Sequence, residues 1–228
     1  MHDYSKLQNI KATTLETGRT YHTPAGDFSS ITTILGATAD KRWMDRWKQS
    51  LVKKLGSEEA AIAEMKSISK YATDRGTKVH EYAERYFNGE NILPELTKDN
   101  EYYDIQNMTK SLIKETETYV DEIWAQEIAV YSEKLGSAGR LDMVGIWKGK
   151  PTIIDFKTSK KKKYESGIGD YKIQCCFYAE CHNEIYKTNI KNYAIIIAVQ
   201  DLGVQVFEGS TIYSKGLLLN RINTYHSM

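Results

Sequence analysis

The chain has 228 residues, 41% hydrophobic and 27% charged, enough for one sizeable core in a globular domain. Its 31 Lys and Arg against 30 Asp and Glu leave a net charge of +1, which excludes a whole-molecule basic field; any nucleic acid would have to be held by local patches. Three cysteines, all within Cys175 to Cys181, exclude a disulfide framework and a four-thiolate zinc site, and with a polar N-terminus and no run of membrane-spanning length they imply a soluble cytoplasmic protein.

Taken in chain order, the first seventeen or so residues carry little structural signal. Arg19 to Ser29 reads as a small hairpin around the turn Pro24-Ala25-Gly26-Asp27. Ser29 to Gly36 opens on a capping serine and closes on glycine, as a short helix would. A helix from Asp40 to Leu55 is stopped by Gly56. The next starts at the Ser57 cap, with Glu58 and Glu59 in its first turn, and runs to Phe87, with a break expected near Arg75-Gly76. A third spans Asp99 to Trp124, where Ile105, Met108, Leu112, Tyr119 and Ile123 keep helical spacing.

The pattern changes at Glu127. EIAVYSEK, GRLDMVGIWK and PTIIDFKT read as three strands separated by short turns, so they are antiparallel neighbours. A helix from Asp170 to Lys187 is long enough to cross over and deliver YAIIIAV parallel to one of them. GVQVFEG follows across Asp201-Leu202-Gly203, and a capped helix, Ser210 to Tyr225, ends the chain. The expected class is α/β (α+β), a mixed central sheet flanked by helices. An N-terminal hairpin and helical region, 1–126, would append to or wrap a core at 127–228, the two forming one compact domain, 1–228.

Chemistry concentrates in the second and third of these strands. Asp155 and Lys157 share a strand face, and Phe156 points to the other. A short hairpin register brings Asp142 beside Asp155. Two carboxylates and a lysine can be a cross-strand ion pair on a surface. They can equally hold a hard divalent ion such as Mg²⁺, because like charges at close range need a cation between them.

Four pieces in order resemble the PD-(D/E)XK nuclease superfamily and, within it, the RecB-like exonuclease branch. They are GTKVHEYAE (76–84), EIAVYSEKLGSAGRLDMVG (127–145), IIDFKTS (153–159) and QCCFY (174–178). SSITTIL, the Trp-bearing helix and GTKVH also look like small phage exonucleases and mitochondrial genome maintenance exonucleases. The resemblance implies a restriction-endonuclease-like core and Mg²⁺- or Mn²⁺-dependent hydrolysis of DNA. It also implies a preference for single-stranded or free ends, in phage-type replication, recombination or repair, and in the host cytoplasm if the chain is phage-encoded. It makes His80, Asp142, Asp155 and the Phe156 carbonyl metal ligands, with Asp142, Asp155 and Lys157 catalytic. Gln174 and Tyr178 would support the lysine or touch the DNA backbone. Glu84, one turn beyond His80, is placed to orient it, and Glu127 either faces the site as a further acid or lies at an edge. Some relatives in this branch carry an iron–sulfur cluster. With no cysteine before Cys175 that ligation is unavailable here, and no cluster is expected.

Lys160, Lys161, Lys162 and Lys163 follow the D-x-K strand directly. Phosphate contact, a solvated loop and a targeting signal all fit such a run. In KRWMDRWK, Arg42 and Arg46 share one helix face and Trp43 and Trp47 another. The tryptophans could stack on bases, but large aromatics at this spacing more often anchor a helix to the core, and burial is expected. Two rival functions remain beside the exonuclease: a structure-selective or restriction-like endonuclease on the same core, and a DNA-binding or assembly protein without chemistry. Protein partners and membrane association have no sequence signal.

Overall fold

The computed structural model describes residues 2–7, 10–99 and 104–228. Near its N-terminus, β1 (Lys11–Leu15), β2 (Gly18–Thr23) and β3 (Gly26–Ser29) form an antiparallel meander. The expected hairpin is present, but β1 extends it. Every residue of β1 is exposed, so no apolar alternation marks it in the sequence, and pairing with β2 alone makes it a strand.

Helix ends follow the local signals. Ser30 caps α1 (Ile31–Ala37) by accepting the Thr33 N–H, and Ser57 caps α3 (Glu58–Phe87) by accepting the Ala60 N–H. Gly56 ends α2 (Arg42–Leu55) in the left-handed conformation, φ 85°. The break expected at Arg75-Gly76 does not occur, and α3 runs uninterrupted for 30 residues. Gly76 faces β6, where a Cβ would stand 3.4 Å from Thr158 Oγ1, an ordinary contact. After α4 (Leu93–Leu96) comes α5 (Ile105–Tyr119). The helix expected over Asp99 to Trp124 is therefore shorter; its part at 100–103 lies outside the described residues. Val120 to Trp124 instead open β4 (Val120–Ser132), because β-branched Val120 and Ile123 pair along β5.

The main sheet has the order β4-β5-β6-β7-β8, with β5 at Ser137–Trp147, β6 at Lys150–Ser159, β7 at Asn192–Val199 and β8 at Gly203–Ser210. All neighbours are antiparallel except β6 and β7, which α6 (Gly169–Tyr186) joins by the anticipated crossover. Ile195, Ile196 and Ile197 are all buried because both faces of β7 are covered, which is why that strand reads as an unbroken apolar run. One face packs under α1, α6 and α7 (Lys215–His226), with Leu141, Ile153, Phe177 and Leu218 in that layer. The other packs under α3 and α5, with Val79, Leu112, Met143 and Phe156. The lower half of α3 and all of α5 are thus a structural layer of the sheet. Among the described residues no helix is long and apolar enough to cross a membrane.

Candidate active site

β5 and β6 pair regularly from Trp147–Lys150 to Met143–Ile154, where the regular pairing ends. The next pair in that register is Asp142 with Asp155. Two facing carboxylates do not sit comfortably in a ladder, and the strands are held here by a side chain instead. The Phe156 N–H donates to Asp142 Oδ2 at 2.7 Å. Asp155 and Lys157 take the face under α6, whereas Phe156 takes the opposite face and meets the His80 ring edge-on, centroids 6.1 Å apart.

Asp155 is fully buried. Lys157 Nζ lies 2.6 Å from its Oδ2 and 5.2 Å from the centre of the Tyr171 ring on α6. Beyond that ion pair, neither Asp155 oxygen accepts a hydrogen bond among the described residues. Burial raises the Asp155 carboxyl to about 6 against the pull of Lys157, and Asp142 adds to the rise. Burial also works against the Lys157 charge, but Asp155 and Asp142 outweigh it and hold the ammonium above its ordinary range.

His80 comes from the cavity side of α3, one turn beyond Gly76, with Nδ1 3.5 Å from Asp142 Oδ1. Burial opposes both charges. The contact nevertheless raises the imidazole and, with Lys157 and the Phe156 N–H, lowers Asp142. Glu127 completes the group from β4. It falls between the Gln126–Met143 and Ile128–Leu141 pairs, directly across from Asp142, with φ 46°. A left-handed glutamate in a strand costs about 1–2 kcal/mol, the kind of strain that gathers at functional sites. Its Oε2 pairs with Arg140 Nε at 2.7 Å. Burial and the neighbouring Asp142 nevertheless push its carboxyl to about 7.

His80, Glu127 and Asp142 can each present one ligand atom, all within 4.8 Å of one another. They line a cavity of about 580 Å³ with Glu84, Phe156, Lys157 and Thr158. One imidazole and two crowded carboxylates, one of them raised by burial and by its neighbour, suit a hard divalent cation, as does the under-bonded carboxylate of Asp155 behind them.

The structure thus gathers His80, Asp142, Phe156, Lys157, Glu84 and Glu127 around one cavity, with Asp155 just beneath it. Gln174 and Tyr178 form a buried pair on α6, Nε2 donating to the phenol oxygen at 2.8 Å. The glycine of the G-x-x-D motif explains itself here. A Cβ on Gly139 would stand 2.7 Å from the Tyr178 ring. Lys160, Lys161 and Lys162 are exposed at the end of β6, and the Lys163 backbone is clasped by the Gln205 side chain through both its N–H and its carbonyl. Arg42, Trp43, Arg46 and Trp47 lie on α2, away from the cavity lining. The burial expected of the two tryptophans is not found: α2 buries no residue, and Trp43 is 57% exposed. Its two-helix packing against α3 alone is too thin to cover indoles.

Sequence reasoning missed Tyr171, Arg140 and Arg19, the last reaching the cavity from β2. Tyr171 lies one turn before Gln174 on α6, and Arg140 shares a strand face with Asp142, so spacing alone could have found both.

A mixed sheet carrying an aspartate and a D-x-K on adjacent central strands, with a helical histidine facing them, is the arrangement that the resemblance to PD-(D/E)XK nucleases led one to expect. Over 182 residues, 75% of its length, the chain is 28% identical to mitochondrial genome maintenance exonuclease 1 of Homo sapiens, and it spans about half, 49%, of that protein. A crystal structure of a candidate exonuclease from Eubacterium rectale overlays with a TM-score of 0.40 at 15% identity, covering 66% of this chain and 68% of the other. No family model matches the chain.

Proposed function

We propose that the protein is a Mg²⁺- or Mn²⁺-dependent DNA exonuclease that prefers single-stranded ends and serves phage-type DNA replication, recombination or repair in the cytoplasm. The observation that carries this is the convergence of His80, Glu127 and Asp142 beside a charged Lys157 in one open cavity. The relationship to an exonuclease over three-quarters of the chain supports it.

The ion would be held by His80, Asp142, Asp155 and the Phe156 carbonyl, the set the motif implies, and Glu127 stands close enough to join. When bound it would supply Lewis-acid activation of water and of a phosphodiester oxygen. The chain's own groups then divide the remaining work. Lys157 stays protonated, so it donates to a phosphate oxygen and offsets developing charge; it does not take up a proton. Asp155 aims that ammonium and keeps it charged. Tyr171 closes over it from α6 and limits its rotamers. The buried Gln174–Tyr178 pair backs β5 at Gly139 and so positions Asp142 three residues on.

The test is degradation of end-labelled single- and double-stranded DNA with and without Mg²⁺ or Mn²⁺, beside a closed single-stranded circle. Digestion of linear single strands, with the circle intact and Asp155→Ala inactive, supports the proposal. Cleavage of the circle would assign an endonuclease on the same core. No metal-dependent cleavage of any substrate would leave a binding or assembly protein.

A further inference from the structure

α2 leaves one indole, Trp43, 57% exposed and a second, Trp47, only partly covered. Trp43 and Trp47, one turn apart, stack on each other with centroids 6.2 Å apart and planes 18° from parallel, and no residue of α2 is buried. The helix they share is a basic stretch of a nearly neutral chain: between Asp40 and Leu55 six Lys and Arg stand against two aspartates. Arg42 is spent on Asp40, and Lys48 on Glu58. Lys41, Arg46, Lys53 and Lys54 make no ion pair among the described residues.

This helix is also placed to meet whatever enters the cavity. Gly56 and Ser57 fold α2 back along α3. From Ile62 to Tyr71 no residue of α3 is buried, so the two helices stand clear of the body as a hairpin. The 14 residues of α2 span about 21 Å, and the 15 from Glu58 to Ala72 about 22 Å. The tryptophan end of α2 therefore returns to the level of Ala72 and Thr73, which line the cavity.

We propose that Trp43 and Trp47 form a stacking platform for the bases of single-stranded DNA, with Lys41, Arg46, Lys53 and Lys54 holding its phosphates, so that the hairpin selects unpaired strands at the cavity mouth. One exposed and one half-covered indole beside unpaired cations fit a polyanion with free π-faces. A duplex hides those faces in its own stack and offers only charge. The inference rests on the exonuclease reading for the direction of the strand, but the platform can be tested without cleavage.

In EDTA, binding of fluorescent oligo-dT is compared with an abasic oligomer of equal length, and tryptophan quenching is followed. Wild type should bind dT about tenfold or more tightly than the abasic strand, with quenching. Trp43→Ala/Trp47→Ala should bind dT no better than abasic DNA, and Trp43→Phe/Trp47→Phe should restore most of the difference. Circular dichroism checks that the Ala variant folds. The Trp43→Ala variant alone, at the more exposed site, should lose part of the preference. Equal wild-type affinity for dT and abasic strands, or an Ala variant that still prefers dT, would overturn the platform. So would a sedimentation shift from dimer to monomer with dT binding unchanged, which would make this face a contact between copies. Tryptophan-dependent dT binding without cleavage in Mg²⁺ or Mn²⁺ would sink the nuclease proposal and leave the platform standing.

Discussion

Lys157 folds back along its own strand until its ammonium lies 2.6 Å from Oδ2 of Asp155, a carboxylate with no exposed surface. The pair is both a stability element and a piece of the proposed chemistry, and the two roles separate experimentally. Lys157→Met strips a buried carboxylate of its counter-ion and should cost about 3–5 kcal/mol. Asp155→Ala should cost a similar amount from the other side. The double variant should recover much of the loss, since neither charge is then stranded. All three should lose DNA cleavage by about 100-fold or more, the scale of removing a charge-stabilising donor. Urea unfolding beside cleavage of labelled oligonucleotide measures both. A stable, active double variant would remove the pair from the mechanism.

Glu127 gives a pH prediction. Its folded carboxyl, near 7, lies above its ordinary 4.5, so its ionised form destabilises the fold without metal. The penalty is present in full above pH 7, declines as pH falls through 7, and is gone below about 4.5, where both states are protonated. In EDTA at pH 8, Glu127→Gln should therefore be more stable than wild type by on the order of 1–3 kcal/mol, less whatever the exposed Arg140 contributed. The gain should vanish near pH 4.5. Adding Mn²⁺ at pH 8 should reverse the ranking, because the ion relieves the crowding only where both Glu127 and Asp142 are charged. Thermal melts across pH, with and without Mn²⁺, check both halves; a Mn²⁺ shift unchanged in Glu127→Gln, His80→Ala and Asp142→Asn would place the ion elsewhere.

Gly139→Ala probes how α6 sets the geometry of β5. The added methyl meets the Tyr178 ring at 2.7 Å, with Ile31 and Phe177 behind it. Overpacking at that contact should cost about 1–3 kcal/mol. It should also turn Tyr178 away from Gln174. Tyr178→Phe removes only the acceptor of the Gln174 amide and should cost about 1 kcal/mol. If the pair positions Asp142, both variants should lower kcat at saturating DNA with KM little changed. A drop in stability with kcat intact would confine the pair to packing.

What the sequence disclosed depended on whether periodicity or register was the controlling physics. The D-x-K face, the hairpin that sets Asp142 against Asp155, and the α6 crossover follow from strand alternation and connection length, and all could be read in advance. Glu127 could be placed on its strand, but the left-handed backbone that lies directly across from Asp142 has no residue signature, since glutamate is not a residue that favours positive φ. Ile123 misled because it satisfies i, i+4 from Tyr119 although the helix ends between them; partner β5, outside any local window, decides the matter. Gly76 misled in the opposite sense. It looked like a break, yet α3 runs straight through it on packing over the sheet. The tryptophans of α2 followed the spacing of a buried stripe, and only the thin cover over them, with no residue of α2 buried, shows otherwise.

The lysine run after β6 can be tested through its salt dependence. Gln205 clasps the backbone at Lys163, which anchors the loop, while the side chains of Lys160, Lys161 and Lys162 project into solvent without ion pairs among the described residues. Lys162 rests over Tyr164 at 5.8 Å, a contact too weak to hold it from a phosphate. If these three neutralise DNA phosphates, each releases counter-ions, and the slope of log K against log salt falls by about 0.7 per contact on a single strand. Replacing all three with Ala should then flatten the slope by about 2 and weaken binding at low salt, with kcat at saturation nearly unchanged. The substitutions are exposed and should leave the melting temperature within about 1–2 °C, as expected for surface changes away from packing. An oligonucleotide titration in EDTA at four salt concentrations reads the slope directly. An unchanged slope would return the run to a solvated loop, and a change of about 0.7 would assign a single lysine, to be found by restoring each in turn.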